Sequence, residues 1–270
     1  MIETLLLEKA VSDGQIFKGT FPGVYDFNRL VENNTDGYSR EGELLFKFRK
    51  GVVPNKVNDD FPSLADICKR KVSLRTDASG HQVYEQSRLL GYDLNIRTNN
   101  CVAETSFTKD QHRDFKKWIY LIEIINDIYR TEFPGAYYFQ EKLAVDPHFL
   151  IGTTVFSQCI VNKSFRTCLH RDRGNVDNTM SNLICLGDNS FSGGYLVFPE
   201  YRVAINLRPR DYLGFLGKEL WHGNTEITGK GTRLSVICYS KKEIVGKKYV
   251  EELSKLANKM RARELNSVLS

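Results

Sequence analysis

Short apolar runs alternate with turn residues from about residue 150 onward. The runs are rich in β-branched and aromatic residues, and Gly, Asn, Asp and Pro punctuate them. This pattern predicts short strands, and their spacing favours a sandwich or jelly roll over alternating β-α-β units. The predicted strands cover residues 152–161, 164–170, 183–186, 195–198, 202–207, 212–221 and 233–239.

Helical spacing of apolar residues stands out in two other places. Thr108-Lys-Asp-Gln111 resembles a capping box, and Pro134-Gly135 would end the helix that follows it. The apolar stripe of this helix comprises Phe115, Trp118, Ile119, Ile122, Ile125 and Tyr129. A weaker stripe predicts a C-terminal helix and comprises Tyr249, Leu253, Leu256 and Met260. We therefore expect an α+β fold in which N-terminal helices and a C-terminal helix pad a double-stranded β-helix (jelly-roll) core.

The 270 residues suffice to bury a core without disulfides. Because the sequence shows neither an internal repeat nor a long linker, we expect one domain over residues 1–270. Within it we expect a mixed α/β N-terminal half at 1–149, the β-helix core at 150–242 and the C-terminal helix at 243–270.

Composition narrows the setting of the protein. No run of about 18 apolar residues occurs, and the N-terminus lacks the basic leader and cleavage site of a signal peptide. The six cysteines are scattered and have no zinc-finger spacing. We expect an intracellular monomer, in the nucleus, nucleoid or cytoplasm, without a signal peptide or a transmembrane segment.

Positive charge is unevenly distributed. The net charge is +5, and residues 40–75 hold nine Lys/Arg against five acidic residues. Residues 241–263 hold eight against three. These stretches are either solvated surfaces or contacts for an anionic polymer, and a DNA-facing role of the 40–75 stretch is one hypothesis.

Three side chains are candidate metal ligands. If residues 164–170 continue as a strand, His170 and Asp172 lie on one face because side chains alternate. His222, at the end of a later apolar run, would complete a set of two imidazoles and one carboxylate. This set is the iron(II) facial triad, although zinc hydrolases use similar ligands.

Arg233 and Ser235 open the last predicted strand and share a face by alternation. A guanidinium can hold a carboxylate through two hydrogen bonds, and a hydroxyl adds a further donor. 2-Oxoglutarate that chelates iron through its oxoacid end needs such a clamp for its distal carboxylate. A zinc hydrolase does not. The combination therefore predicts an Fe(II)- and 2-oxoglutarate-dependent dioxygenase, with O2 as the other substrate.

The tripeptide His170-Arg171-Asp172 also opens the catalytic loop of protein kinases. That loop requires Asn five residues after its Asp, where this chain has Asp177. The sequence also contains neither a glycine-rich kinase loop nor Asp-Phe-Gly. A kinase is excluded.

Three motifs resemble those of the ten-eleven-translocation (TET) methylcytosine dioxygenases and the related base-J-binding-protein (JBP) hydroxylases. One is His170-Arg-Asp172-Arg-Gly-Asn175, which is similar to His-Arg-Asp-x-x-Asn. The others are Gly194-Tyr-Leu-Val-Phe-Pro199-Glu-Tyr201-Arg-Val203 and Thr232-Arg233-Leu-Ser235-Val-Ile-Cys-Tyr239. The resemblance covers about residues 150–242. The chain lacks the Cys-rich zinc-binding region of the animal enzymes.

This resemblance implies a role for each matching residue. His170, Asp172 and His222 would bind Fe(II), and Arg233 with Ser235 would bind 2-oxoglutarate. Arg75 is a candidate for holding the oxoacid end of 2-oxoglutarate. Asn175 would hydrogen-bond a flipped-out base beside Tyr239. The implied activity is oxidation of the methyl group of a 5-methylpyrimidine in DNA, with 5-methylcytosine as the preferred expectation.

Two alternatives stay open. A prolyl- or lysyl-hydroxylase-like oxygenase also fits Gly193-Gly194 before an apolar strand, and it gains if neither Asn175 nor Tyr239 lines the pocket. A catalytically silent β-helix protein that binds nucleic acid through its basic faces is the second alternative.

Overall fold

The computed structural model describes residues 1–60, 64, 74–76, 82–84, 87–94 and 101–249. Its strands are β1 (Glu3–Leu7), β2 (Arg29–Val31), β3 (Thr35–Ser39), β4 (Leu44–Arg49), β5 (Leu74–Thr76), β6 (Gln82–Tyr84), β7 (Ser87–Leu94), β8 (Val102–Glu104), β9 (Gln158–Lys163), β10 (Ser181–Gly187), β11 (Phe191–Gly193), β12 (Leu196–Phe198), β13 (Val203–Ile205), β14 (Tyr212–Phe215), β15 (Gly223–Asn224), β16 (Ile227–Gly229) and β17 (Arg233–Tyr239). The α-helices are α1 (Asn55–Asp59), α2 (Ser106–Asp110), α3 (His112–Glu132) and α4 (Pro134–Glu141).

Two units share the chain, and each is built from segments that are distant in sequence. Unit 1 comprises Met1–Ser87, Asn162–Arg173 and Met180–Ile237. Unit 2 comprises Arg88–Val161, Gly174–Thr179 and Cys238–Ser270.

Unit 1 contains two main sheets with an aromatic core. In one sheet the strands follow the order β1-β3-β4-β14-β10-β17, and in the other the order is β15-β12-β13-β2. Phe198 of β12 stacks on Phe46 of β4 with ring centroids 5.6 Å apart and also packs against Phe215 of β14. Because all three side chains are buried, they hold the two sheets face to face.

Unit 2 is organised around α3. Its buried face comprises Phe115, Trp118, Leu121, Ile122, Ile125, Asn126 and Tyr129. Tyr129 stacks on Phe156 at 5.8 Å, and the amide of Asn126 accepts a hydrogen bond from the backbone N–H of Val155. Pro134 is the first residue of α4, where the missing N–H of proline has no helical partner to lose.

The helix prediction is right about the end of α3 and wrong about its start. α3 begins at His112, and Thr108 lies inside the separate helix α2. The hydroxyl of Thr108 is shared with that of Thr105 at 3.0 Å and accepts from the backbone N–H of Gly91. Thr108 therefore has other partners and does not cap α3.

The predicted strand over residues 164–170 is wrong. Ser164 has φ +45°, which ends β9, and the backbone N–H of Leu169 donates to the carbonyl of Thr20. The segment makes one isolated bridge, at His170. The other predicted strands overlap β9, β10, β12, β13, β14 and β17, and β17 has the predicted bounds. The predictions over 152–161 and 212–221 are too long, since β9 begins at Gln158 and β14 ends at Phe215.

Some expectations lie outside the described residues. Residues 250–270, which contain most of the predicted C-terminal helix, belong to this group, as does much of the 40–75 basic stretch. Within the described part of that stretch, Arg49 is buried and pairs with Asp36 at 2.7 Å, so it is not a surface cation. None of the described helices has the length and apolar character needed to cross a membrane.

The packing of α3 gives a test of unit 2. Trp118 is 2% exposed, and we expect Trp118→Ala to lower the free energy of unfolding by about 3 to 5 kcal/mol, because it leaves a cavity. Tyr120 is 57% exposed on the same helix, and Tyr120→Ala is the control, with an expected change of about 0.5 kcal/mol or less. Chemical denaturation measures both, and equal losses would contradict the packing described.

Candidate functional site

His170 and His222 are joined through their backbones in unit 1. The N–H of His170 donates to the carbonyl of His222 at 3.0 Å, and the N–H of His222 donates back at 2.9 Å. This two-residue antiparallel bridge places the imidazole rings with centroids 4.3 Å apart. The pairing brings together two parts of the chain that are distant in sequence.

Asp172 completes a cluster with the two imidazoles. Its Oδ1 lies 3.4 Å from Nε2 of His170, and its Oδ2 lies 3.6 Å from Nε2 of His222. One potential ligand atom from each residue lies within 4.8 Å of the others. His170 and Asp172 thus share a face as expected, although their segment is not a strand.

Each imidazole is fixed by its other nitrogen. Nδ1 of His170 donates to the carbonyl of Cys168 at 2.8 Å, and Nδ1 of His222 donates to that of Leu220 at 2.9 Å. Both Nε2 atoms then keep a lone pair that faces Asp172, the arrangement in which histidine binds metal.

Electrostatics favour a neutral His222 beside a charged Asp172. Burial and then the neighbouring His170 lower the pKa of His222 to about 4, so the ring is uncharged at pH 7. Burial raises the pKa of the Asp172 carboxyl, but the two histidines and Ser181 outweigh it, and the pKa is lowered overall. Burial likewise opposes protonation of His170, yet its contacts with Asp172 raise its pKa.

The carboxylate of Asp172 sits in a tight space. Its Oδ2 accepts a hydrogen bond from Ser181 Oγ at 2.9 Å, and its N–H donates to the carbonyl of Gly217. A Cβ added at Gly217 would lie 2.1 Å from Ser181 Oγ and 2.6 Å from Asp172 Oδ2. Only glycine leaves room for the carboxylate in this position.

The donor set fits a divalent metal of the iron type. Neighbouring ligands of an octahedral ion with bonds of about 2.1 Å lie roughly 3 Å apart, close to the separations around Asp172. Two imidazole nitrogens and one carboxylate leave three further positions open, as an iron(II) oxygenase requires. His170, Asp172 and His222 could therefore hold Fe(II).

Arg233 is a buried cation in the same unit. It is 3% exposed, and its Nε is a buried N–H without a hydrogen-bond partner in the described structure. Burial and the neighbouring Arg208 lower its pKa, and no ion pair with a carboxylate is found for it among the described residues. Because a buried charge is costly without a counterion, this position fits an anionic ligand such as the distal carboxylate of 2-oxoglutarate.

Neighbours of Arg233 shape this position. Gly194 has φ +67°, and a Cβ there would lie 3.2 Å from Cδ of Arg233. Ser235 is buried two residues further along β17. Burial raises the pKa of the nearby Cys185 thiol to about 11, so Cys185 is not a counterion for Arg233.

The remaining predicted site residues are Arg75, Asn175 and Tyr239. The side chain of Arg75 lies outside the described residues. In unit 2, Asn175 is buried and forms a backbone bridge with Lys241. The hydroxyl of Tyr239 donates to Oε1 of Gln158 at 2.6 Å.

Sequence reasoning missed Ser181, Gly217 and Arg208. Ser181 and Gly217 support Asp172 from positions that no local motif marks. Arg208 lies in a turn, where its guanidinium stacks on the rings of Phe191 and Tyr195. The only local signal for Arg208 was its place at the start of the turn sequence Arg208-Pro209-Arg210-Asp211.

Comparison with known proteins connects this geometry to a family. Residues 90–242, more than half of the chain, match the model of the Tet_JBP family, described as the oxygenase domain of the 2OGFeDO superfamily. The chain belongs to the Tet_JBP family. The resemblance and the oxygenase class predicted from the motifs are confirmed.

Two relatives of this Tet_JBP chain come from Trypanosoma brucei brucei. The bifunctional helicase and thymine dioxygenase JBP2 of Trypanosoma brucei brucei is 32% identical over 193 residues, which are 64% of this chain and 17% of that protein. Thymine dioxygenase JBP1 of Trypanosoma brucei brucei is 29% identical over 87% of this chain and 30% of that protein. The chain thus spans less than a third of the length of either relative.

A solved structure supports the fold. NgTET1 in complex with 5mC DNA matches with a TM-score of 0.67 and 15% identity, covering 88% of this chain and 87% of that chain. The predicted fold, a jelly-roll core padded by helices, is confirmed for this member of the Tet_JBP family.

Gly217 provides a test of the cluster. We expect Gly217→Ala to weaken Fe(II) binding by about tenfold or more, because the added methyl group displaces Asp172 or Ser181. Anaerobic Fe(II) titration, followed by calorimetry, measures the effect. Gly14→Ala is the matched control, since a Cβ there meets nothing within 4 Å. An unchanged affinity in Gly217→Ala would contradict the geometry.

Proposed function

We propose that this chain is an Fe(II)- and 2-oxoglutarate-dependent dioxygenase that oxidises the methyl group of a flipped-out 5-methylpyrimidine in DNA. The observation that carries the proposal is the convergence of His170, Asp172 and His222, with both Nε2 atoms facing the carboxylate. The buried Nε of Arg233, which has no hydrogen-bond partner among the described residues, supports the choice of 2-oxoglutarate as cosubstrate.

When bound, Fe(II) with 2-oxoglutarate and O2 supplies the oxidant for a C–H bond. The residues of the chain hold and orient the groups that would bind the metal and the cosubstrate. Backbone carbonyls hold the two imidazoles in the tautomer that binds metal, and Ser181 holds the carboxylate of Asp172. Arg233 and Ser235 orient the cosubstrate by binding its distal carboxylate. Burial of His222 limits the access of water.

DNA as the substrate rests on the relatives. The JBP1 and JBP2 proteins are named thymine dioxygenases, and the structure of NgTET1 holds 5mC DNA. A methyl group inside a duplex cannot reach a buried iron site, so the nucleotide must leave the base stack. We assign the base to Asn175 and Tyr239, whose amide and ring can bind its edge and face.

Two bases are candidates. The sequence motifs favour 5-methylcytosine, whereas the relatives that are 29% and 32% identical are named for thymine. Both carry a 5-methyl group, so the same site could act on either. The relatives give thymine the stronger support.

Removing one ligand tests the metal site. We expect His170→Ala or Asp172→Ala to reduce 2-oxoglutarate turnover to background, because two remaining ligands do not hold iron in a facial geometry. Succinate formation measures turnover. His148→Ala is the control, since His148 is an exposed histidine that contacts Asp146. Activity retained in either ligand variant would remove the metal site as described.

The substrate is tested separately. The protein is incubated with Fe(II), 2-oxoglutarate and either thymine-only or cytosine-methylated DNA, and nucleosides are then measured by mass spectrometry. We expect 5-hydroxymethyluracil from the first DNA. 5-Hydroxymethylcytosine from the second DNA alone would select the other base. Oxidation of protein substrates alone would keep the oxygenase and reject DNA, in favour of the hydroxylase alternative.

Arg233 tests the cosubstrate. We expect Arg233→Met to raise the KM for 2-oxoglutarate about 100-fold, since a charge-assisted pair of hydrogen bonds contributes about 3 kcal/mol. Arg29→Met is the control, because Arg29 is half exposed and pairs with Glu3. An unchanged KM in Arg233→Met would place the distal carboxylate elsewhere.

A further inference from the structure

A buried carboxylate lies behind the metal-ligand cluster. Glu200 is 1% exposed and belongs to the short turn Pro199–Tyr201. Its Oε2 accepts a hydrogen bond from the backbone N–H of Trp221 at 2.9 Å, and its Oε1 accepts one from Nη2 of Arg171 at 2.7 Å. Trp221 directly precedes His222, and Arg171 lies between His170 and Asp172. One carboxylate therefore holds a neighbour of all three ligands.

Arg171 strengthens the same connection. Its guanidinium lies over the ring of Trp221, 5.1 Å from the centroid, and also pairs with Asp13 at 2.9 Å. Hydrogen bonds from Arg171 and Lys9 lower the pKa of Asp13 to about 2, so this carboxylate is charged at pH 7. The guanidinium of Arg171 therefore lies between the buried carboxylate of Glu200 and the half-exposed carboxylate of Asp13.

The N-terminal segment, residues 9–16, also contacts Glu200 and its partners. This segment lies outside residues 90–242, which match the family model. The backbone N–H groups of Ala10 and Val11 donate to the backbone carbonyl of Glu200. The ammonium group of Lys9 pairs with Oε1 of the Glu200 side chain at 3.2 Å. Ile16 packs with Leu169 and Trp221. Leu169 and Trp221 each precede a ligand histidine, so the segment supports the back of both.

We propose that Glu200 is a positioning residue that couples the His170–Asp172 segment to His222 and thereby sets the affinity for the metal. The inference rests on the proposed metal site. Coupling follows from the two oxygens of one rigidly held carboxylate, because a shift of either ligand segment breaks a buried hydrogen bond to a charge. The two segments use different oxygens, so a side chain that replaces one oxygen with a group that cannot accept loses one of the two hydrogen bonds.

Glu200→Gln tests this coupling, since the amide NH2 that replaces one carboxylate oxygen cannot accept from Arg171 or from the N–H of Trp221. We expect the Fe(II) dissociation constant to rise about 10- to 100-fold, measured anaerobically through the visible band of the Fe(II)–2-oxoglutarate complex. Asp36→Asn is the matched control, because it breaks another buried Arg–carboxylate pair in the same unit, between Asp36 and Arg49. We expect it to lower thermal stability and leave the Fe(II) affinity unchanged.

A milder variant and a double variant complete the design. Arg171→Lys keeps the charge and loses the guanidinium fork, and we expect an intermediate loss of Fe(II) affinity. If Glu200 acts through Arg171, the effects of Glu200→Gln and Arg171→Lys on the affinity will not add in the double variant.

The outcomes separate this inference from the proposed function. Equal loss of Fe(II) affinity in Glu200→Gln and Asp36→Asn would overturn the positioning role, as would wild-type affinity in Glu200→Gln. If Glu200→Gln does not fold, wild-type affinity in Arg171→Lys overturns it instead. A wild-type protein that does not bind Fe(II) would overturn the metal site itself.

Discussion

The pair of reciprocal backbone hydrogen bonds between His170 and His222 is the constraint on which the site depends. Each partner sits outside a long strand, so the position of one ring is defined mainly by the other. Within each segment, the carbonyl two residues before the histidine, that of Cys168 or of Leu220, accepts from Nδ1 and so selects the tautomer of the ring. The geometry of the three candidate metal ligands therefore follows from the hydrogen bonds of the main chain.

Two neighbouring strands of unit 1 carry a residue beside the candidate metal ligands and the arginine proposed to bind the cosubstrate. Ser181, which holds Asp172, begins β10, and Arg233 begins the adjacent strand β17. Arg233 lies beside Gly187 at the other end of β10, because a Cβ at Gly187 would be 3.6 Å from Cα of Arg233, so the length of β10 separates Ser181 from Arg233. Under the proposed function, the metal and the distal carboxylate of the cosubstrate are both positioned by this pair of strands.

The sequence predicts what depends on local pattern and chemistry. The strand pattern predicts the bounds of β17, and residue type marks His170, Asp172 and His222 as candidate metal ligands and Arg233 as a candidate partner for a carboxylate. The predicted strand over 164–170 fails because the apolar pattern does not reveal that Ser164 turns and that Leu169 pairs with Thr20. The supporting residues escape for a similar reason. Gly217 matters only through the space that Asp172 occupies, which is a tertiary property.

The buried guanidinium of Arg233 links the stability of the folded state to ligand binding. The guanidinium of Arg233 is buried, and its Nε finds no acceptor in the described structure. The described residues therefore leave this charge without a counterion. A dicarboxylate that binds there would add a counterion that the described part of the chain does not supply, and it would bind only the folded chain. By mass action, such a protein gains stability as the ligand concentration rises. Its resistance to unfolding would then rise with the concentration of the dicarboxylate.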